Sequence, residues 1–184
     1  MKTHPKQLSI TRTILSLYDQ SGNFSKPYRD AGYQVIQLDL LYNNIDIRTL
    51  PYRSDWNIHG IIAMPPCTYF SKARLKPTSS QLREGLSTVD AIYRLITLYN
   101  PSFFVIENPH KGRIQQYIGK PLQVIPLGAF GFNTAKPTAL WGNFNPIKVP
   151  SWIPEYKVKF NKLPKSTRSI TPIALGTAFF NANP

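Results

Sequence analysis

The stretch Ile61-Ile62-Ala63-Met64-Pro65-Pro66-Cys67-Thr68-Tyr69-Phe70-Ser71 decides how the chain is interpreted, because an apolar run ends in two prolines and a thiol follows at once. Proline donates no backbone hydrogen bond and fixes φ, so a strand that ends at Met64 presents Cys67 on a rigid loop. Open α/β sheets carry their chemistry at the edge where such loops lie. The other interpretation of this cysteine, the only one in the chain, is a small buried apolar residue.

Length and composition are those of an ordinary folded domain. The chain has 184 residues, of which 42% are hydrophobic and 12% aromatic, so we expect one domain, 1–184, with a substantial core. It contains no apolar run long enough to span a bilayer, and its first residues lack the apolar core of a signal peptide, which predicts a soluble cytoplasmic protein. One cysteine and three histidines exclude an internal disulfide and make a metal site improbable.

The charge of the chain is its strongest compositional signal. The formal net charge is +13 and the pI is near 10.0. Such a surface attracts polyanions by releasing condensed counterions, and nucleic acid is the usual partner of a protein with this balance. An anionic membrane or an acidic protein is the alternative on charge alone.

The N-terminal part of the chain predicts a βαβ unit. After a basic lead-in, 1–11, a strand over 13–18 leads through a polar turn, 19–23, to a helix that ends at Gly32, and a second strand ends on Asp39. A nucleoside cofactor needs a close-fitting turn after the first strand and an acid after the second that accepts from ribose hydroxyls. The alternative is that Asp39 begins a loop. Asp46 either accepts from an adenine amino group or is a turn residue.

The middle of the chain predicts a second acid at a strand end. A third strand over 56–64 delivers Cys67, and a helix follows 77–81 with an apolar stripe to Tyr99 that we interpret as core. The apolar strand 102–106 is buried on both faces in a parallel sheet and leads to Glu107. If these two strands are neighbours, Glu107 and Cys67 face one cleft; otherwise Glu107 is a solvated loop acid.

The last third of the chain predicts two short strands, a basic segment and a closing helix. The strands cover 122–125 and 138–141, and the helix runs to about Phe180, with Thr171 as its cap and Pro172 at its first position. The segment 143–168 is rich in proline, and its lysines and arginine surround three aromatic residues. That pattern suits phosphate contact with base stacking, or equally a solvated basic loop. We predict an α/β fold whose mostly parallel sheet has helices on both faces and an antiparallel strand late in the chain.

Several motifs resemble those of one enzyme family. Pro66-Cys67-Thr68-Tyr69-Phe70-Ser71 resembles the Pro-Cys-Gln-x-Phe-Ser motif of cytosine C5 methyltransferases, and Glu107-Asn108-Pro109 resembles their Glu-Asn-Val motif. Over about residues 12 to 184 the chain is similar to the short bacteriophage members, which lack a target-recognition domain. Weaker matches, supported by order and position, are the cofactor loop at 18–23, the acids Asp39 and Asp46, the Gln-x-Arg-x-Arg region at 134–138 and the closing motif at 168–172.

The resemblance implies a Rossmann-like fold that binds S-adenosylmethionine and an enzyme that methylates carbon 5 of cytosine in DNA. Cys67 is then the thiolate that adds to carbon 6, Glu107 holds a proton at ring nitrogen 3, and Lys136 lowers the pKa of the thiol or holds a phosphate. Either Tyr18 or Phe24 lies against the adenine ring. The cofactor residues that the resemblance implies are Tyr18, Asp19, Ser21, Gly22, Asn23, Phe24, Asp39, Leu40, Asp46 and Pro65, and the substrate residues are Pro66, Ser71, Asn108, Lys157, Lys159 and Arg168.

The chain departs from the family pattern in three places. Gln20 and Asn23 replace glycines of the cofactor loop, Thr134 and Thr138 replace a glutamine and an arginine, and the segment 143–168 stands where long members insert a recognition domain. Extruding a base from a duplex costs a few kcal/mol that recognition contacts offset. We therefore expect little sequence specificity on DNA, or a protein partner or second copy that supplies recognition. The alternatives are a weak or inactive nucleic-acid or nucleotide-binding protein, and the same chemistry on RNA or a free nucleotide. A phage-encoded protein would work in the host cytoplasm.

Overall fold

The structure is a computed structural model that describes residues 11–71, 76–151, 155 and 160–184. Its six strands form one sheet in the order β2-β1-β3-β4-β6-β5. The strands β1 to β4 are mutually parallel, and β6 is antiparallel to both of its neighbours, which confirms the predicted mixed sheet. The strands are β1 (Thr13–Leu17), β2 (Gln34–Leu38), β3 (Ile58–Ala63), β4 (Phe103–Pro109), β5 (Gln123–Pro126) and β6 (Pro137–Asn143).

Helices cover both faces of this sheet, as predicted. On one face α3 packs Val89, Ile92 and Leu95 into a core with β1 and β3, and on the other face aromatic residues of α1 and α6 form a second core. Short 3-10 turns cover Ile47–Thr49, Leu127–Phe130 and Phe160–Lys162. The helices are α1 (Lys26–Asp30), α2 (Leu40–Asn43), α3 (Ser79–Tyr99), α4 (Gln115–Ile118), α5 (Lys165–Arg168) and α6 (Ile173–Ala182).

The start of α3 is fixed by local hydrogen bonds. The Gln81 amide donates to the Thr78 hydroxyl at 3.2 Å, and the Thr78 amide donates to the Gln81 side chain at 3.1 Å. This reciprocal pair satisfies two amides that a helix leaves without partners at its start. It confirms the predicted N-terminal region, and at the other end Asn100 adopts the left-handed conformation that stops the helix.

Two predicted boundaries are wrong. The strand predicted to end at Ile106 continues to Pro109, because β6 pairs with it beyond the reach of β3, so Glu107 lies inside β4 opposite Leu140. The last helix begins at Ile173, not at Pro172, whose backbone is extended. Thr171 does not cap it; its hydroxyl contacts the Met64 sulfur at 3.3 Å.

Within the described residues, no helix is long and apolar enough to cross a membrane. In the same part of the chain, no group of three or more histidine, cysteine, aspartate or glutamate residues is placed to hold a metal ion.

Candidate active site

The loop that carries Cys67 leaves β3 at the edge where the parallel strands end. The Met64 amide still donates to the Leu17 carbonyl at 3.0 Å, so the strand pairing continues up to the two prolines. Pro65 is buried, Pro66 is exposed and Cys67 is partly exposed. The amides of Phe70 and Ser71 donate back to the Cys67 carbonyl at 3.0 and 2.9 Å, which makes a tight turn immediately after the thiol.

Hydrogen bonds fix the loop after β3 on both sides of Cys67. They come from β4 and from the turn that follows β4. Asn108, which is 1% exposed, donates from Nδ2 to the Pro65 carbonyl at 2.9 Å. Arg113 donates from its amide to the Phe70 carbonyl at 2.7 Å and from Nη1 to the Ser71 carbonyl at 2.9 Å. The predicted substrate residues Asn108 and Ser71 therefore take part in fixing this loop. Arg113 was not predicted, since nothing in the sequence marks a contact made so far along the chain.

Glu107 lies beside this loop because β3 and β4 are adjacent. Ala63 pairs with Ile106, so the next residue of β4 stands at the level of the loop. Glu107 is 9% exposed. Desolvation raises the pKa of its carboxyl, against the smaller opposing effects of the Lys136 charge and a hydrogen bond from the Thr138 hydroxyl. Burial thus favours the protonated acid, and the alternative of a solvated loop acid is wrong.

The three predicted catalytic residues influence one another. Burial raises the pKa of the Cys67 thiol, and the Glu107 charge raises it further, while the Lys136 charge lowers it. The three side chains therefore lie within electrostatic reach. Burial has the largest effect on the pKa of the Cys67 thiol, so this thiol holds its proton more firmly than a free one. The Lys136 charge favours the thiolate and acts in the opposite direction.

Lys136 also ties the loop before β6 to the end of the basic segment. Its Nζ donates to the Arg168 carbonyl at 2.8 Å and lies 5.1 Å from the Phe132 ring centroid. Arg168 donates from Nε to the Leu163 carbonyl at 2.9 Å and stacks its guanidinium 5.7 Å from the Phe160 ring centroid. The predicted substrate residue Arg168 is thus part of a folded wall, residues 160–168, that contacts Lys136. Lys157 and Lys159 lie outside the described residues.

Asp19 organises the turn after β1. It is 2% exposed and accepts hydrogen bonds from the Ser16 and Ser21 hydroxyls and from the Gly22 amide, at 3.1, 3.3 and 2.9 Å. The Ser25 amide and hydroxyl also donate to it, at 3.4 and 3.2 Å. Desolvation raises the pKa of its carboxyl although these bonds oppose the shift. Asp19 and Ser21, predicted to bind the cofactor, shape this turn from inside.

The closing helix α6 packs directly on the same turn. A Cβ added at Gly176 would lie 2.7 Å from the Phe24 carbonyl oxygen and 2.8 Å from that of Asn23, so only glycine permits this approach. The Asn23 side chain donates to the Thr171 carbonyl at 3.0 Å. Asn23, predicted as a cofactor residue, thereby joins the turn to the closing segment.

Of the two rings predicted to meet adenine, only one lies where a ligand could reach it. Phe24 is completely buried and meets Phe179 edge-on with ring centroids 5.2 Å apart, so it is a core residue and that prediction is wrong. Tyr18 is partly exposed and adopts φ +57°, a conformation that is costly for a bulky residue. Its hydroxyl is buried and has no hydrogen-bond partner among the described residues.

Asp39 begins a helix at the end of β2. It is 8% exposed, and its Oδ1 accepts from the amides of Leu41 and Tyr42 at 2.7 and 3.2 Å, which caps α2. Both bonds use one oxygen of the carboxylate. The neighbouring Leu40, also predicted to bind the cofactor, is 50% exposed.

The carboxylate of Asp46 is hydrogen-bonded to Arg48, a residue that was not predicted to take part in the site. Its Oδ1 accepts from the Arg48 amide and Nε at 3.0 and 2.9 Å, and its Oδ2 accepts from Nε and Nη2 at 3.1 and 2.7 Å. A carboxylate has about four lone-pair positions, and Arg48 uses all of them. The same hydrogen bonds lower the pKa of Asp46. In this conformation Asp46 cannot also accept from an adenine amino group, and its Oδ1 accepts from the Arg48 amide in the manner of a turn residue. An acid followed two residues later by arginine was a local signal for this pair.

Comparisons with known proteins agree with this geometry. No family model matches the chain. A protein of Frog virus 3 (isolate Goorha), described as a probable DNA (cytosine-5)-methyltransferase, is 30% identical over 149 residues, which cover 70% of this chain and 69% of that protein.

The chain belongs to the DNA (cytosine-5)-methyltransferase family.

Two solved structures are also similar to this family member. One is a DNA modification methyltransferase encoded within an E. coli prophage, with 18% identity and a TM-score of 0.49 over 79% of this chain. The other is a mutant of Spodoptera frugiperda DNMT2, with 16% identity and a TM-score of 0.43 over 78% of this chain. The chain spans about half the length of both, 51% and 54%.

The active-site edge of this methyltransferase family member is divided by charge. Acids stand over β1 and β2, and basic residues stand over β4 and β6. From residue 108 onward the sequence contains ten lysines and arginines and one acid, Glu155. The acidic half of the edge holds Asp19, Asp39 and Asp46, with Arg48 bound to the last of them. The basic half holds Lys111, Lys136 and Arg168 around the buried Glu107.

Proposed function

We propose that the protein methylates carbon 5 of cytosine in DNA through a covalent adduct with Cys67. The observation that carries this proposal is the placement of Cys67 just past the end of β3 beside Glu107 of the adjacent parallel strand β4, where the Glu107 charge raises the pKa of the thiol. The name of the Frog virus 3 relative supports DNA cytosine as the substrate. The basic half of the edge suits a phosphate backbone.

The residues suit the chemistry of this substrate. Carbon 5 of cytosine is a poor nucleophile, and a Cys67 thiolate that bonds to carbon 6 pushes an electron pair toward it. Glu107, kept protonated by burial, gives its proton to ring nitrogen 3, so the adduct is formed without a negative charge on the ring. After methylation, loss of the carbon 5 proton to a base re-forms the double bond and expels the Cys67 thiolate, and ring nitrogen 3 returns its proton to Glu107.

The acidic half of the edge fits part of the methyl donor. S-adenosylmethionine would supply the methyl group that carbon 5 accepts. Asp39 can receive a ribose hydroxyl on Oδ2, since its cap bonds use Oδ1. The Tyr18 hydroxyl, buried without a partner among the described residues, is an atom that a bound ligand would satisfy. Asp46 does not fit the adenine amine while Arg48 holds it.

Recognition of the target base falls to a small part of the chain. The segment 143–168 stands in place of a recognition domain, and its described end, 160–168, forms the wall that the hydrogen bonds of Lys136 and Arg168 hold together. A wall of this size offers few contacts to offset base extrusion. We therefore propose weak sequence specificity, or recognition shared with a protein partner or a second copy.

The test is transfer of label from the donor to DNA. Incubation with methyl-labelled S-adenosylmethionine should place label on carbon 5 of cytosine, and Cys67→Ser should abolish it. Label that persists in Cys67→Ser would refute the covalent mechanism. Supplying DNA, RNA and free cytidine nucleotides in parallel identifies the acceptor, and label only on RNA or nucleotide would overturn the assignment to DNA.

The Arg48–Asp46 pair favours one second candidate, a nucleic-acid or nucleotide-binding protein with weak or no catalysis. In that case the occupied carboxylate and the Gln20 and Asn23 replacements would have cost the site its donor affinity. Calorimetry with S-adenosylmethionine and S-adenosylhomocysteine separates the candidates. Micromolar binding together with turnover excludes the inactive protein, whereas DNA binding without donor binding supports it.

A further inference from the structure

We propose that Arg113 is a positioning residue that holds the Cys67 loop in place against Glu107 through its hydrogen bond to the Ser71 carbonyl. The proposal rests on the proposed function, in which Cys67 is the nucleophile. It adds a residue that no motif contains and that acts without touching the substrate.

One short segment carries the acid and both tethers of the thiol loop. Glu107 and Asn108 are consecutive in β4, and Arg113 follows in the next turn. Asn108 binds the backbone just before Cys67, at Pro65, and Arg113 binds it just after, at Ser71. The adjacency of β3 and β4 brings the thiol and the carboxyl together, and the two tethers from residues 107–113 then fix the loop on both sides of Cys67.

The turn that bears Arg113 sits directly on the loop. A Cβ added at Gly112 would lie 3.0 Å from the Pro109 carbonyl oxygen and 3.4 Å from the Phe70 carbonyl oxygen. Phe70 is itself fully buried, and its ring would be 3.0 Å from a Cβ added at Gly85 of α3. The loop is thus clamped between α3 and the turn. The Arg113 side chain secures the Ser71 carbonyl at the end of this turn.

The Arg113 side chain binds the backbone of its own protein. It is part-buried, and Nη1 donates to a backbone carbonyl at 2.9 Å. The charged groups that shift the pKa of the Cys67 thiol are Glu107 and Lys136. Removal of the Arg113 charge therefore leaves the charges that act directly on the thiol unchanged. A change in the thiol pKa then reports a change in the position of Cys67.

The experiment measures the thiol directly in the full-length chain. Because Cys67 is the only cysteine, its alkylation by iodoacetamide as a function of pH reports its pKa without interference. Arg113→Met should move that pKa toward the ordinary thiol value, since a loosened loop is better hydrated. It should also lower kcat roughly tenfold to a hundredfold at unchanged KM for DNA, the loss expected for a displaced reacting group. Arg113→Lys, which still donates one hydrogen bond, should retain most of both properties. Arg12→Met, exposed at the opposite edge of the sheet, is the matched control.

The outcomes separate three roles. A rise in KM with a shallower salt dependence of DNA binding would make Arg113 a phosphate contact and overturn the proposal. A lower melting temperature with an unchanged alkylation profile in both Arg113 variants would make it purely structural and would also overturn it. Failure of the proposed function would instead be detected as methyl transfer that survives Cys67→Ser. The alkylation experiment does not depend on methyl transfer, so its result would still test the position of the thiol.

Discussion

At the scale of single residues, the buried carboxyl of Glu107 links stability to pH. Desolvation raises its pKa in the folded state above the value in the unfolded chain. The stability that this group contributes is therefore fully present below the unfolded-state pKa and is lost as pH rises through the folded-state pKa. Above that point the protein carries a buried charge whose cost only Lys136 and Thr138 reduce.

We expect Glu107→Gln to stabilise the protein at high pH relative to wild type. The amide never ionises, so the difference in unfolding free energy between the variant and wild type should grow as pH is raised from 5 to 8, above the ordinary pKa of a glutamate. Urea denaturation at several pH values measures it. Glu155→Gln, at an exposed acid, should give a difference that does not change with pH. A Glu107→Gln difference that is constant over this range would mean that the acid is already ionised and well satisfied.

At the scale of elements, the contact of α6 with the turn after β1 is the most sensitive junction. Glycine to alanine normally stabilises a helix by about 1 kcal/mol. At Gly176 the added methyl would meet two backbone carbonyls that cannot move aside, at 2.7 and 2.8 Å. Overpacking of this kind costs roughly 1–3 kcal/mol and displaces the turn.

Gly176→Ala should therefore lower stability and weaken donor binding together. Denaturation gives the first quantity and calorimetry with S-adenosylhomocysteine the second. Thr177→Ala, at the exposed neighbouring position, should leave both unchanged or slightly improved. An unaltered donor affinity in a destabilised Gly176→Ala would show that α6 supports the fold without shaping the donor site.

The elements that the sequence predicted well are those whose signals are local. Apolar runs and prolines marked β3 and the Cys67 loop, and the parallel neighbour relation of β3 and β4 then brought Glu107 to the thiol. The misplaced features depend on partners far along the chain. β4 is extended by β6, Phe24 is buried by Phe179, and Arg113 reaches back to Ser71. The periodicity and spacing of residues report only local structure, so they do not predict contacts between residues far apart in the chain.

At the scale of the whole molecule, the uneven charge of the active-site edge predicts where a polyanion binds. Lys111 is exposed after β4 on that edge, whereas Arg12 is exposed just before β1, at the opposite edge. Lys111→Gln should reduce the slope of log affinity for DNA against log salt by about 1, since one phosphate contact is lost. Arg12→Gln should not alter it. Equal effects of the two variants would indicate that DNA is attracted by net charge without a preferred edge.

The place of β6 in the sheet also governs the order in which the protein can be built. β4 is the strand that carries Glu107, yet its outer neighbour is β6, which leaves the ribosome after α4 and β5. At roughly 5–20 residues per second, β4 waits on the order of seconds with one edge unpaired. During that interval the nascent chain exposes a row of free backbone groups to other strands. The yield of soluble protein in a heterologous host should therefore increase with slower translation initiation and with a chaperone that covers this edge. Substitutions on the surface of the folded protein should increase it less.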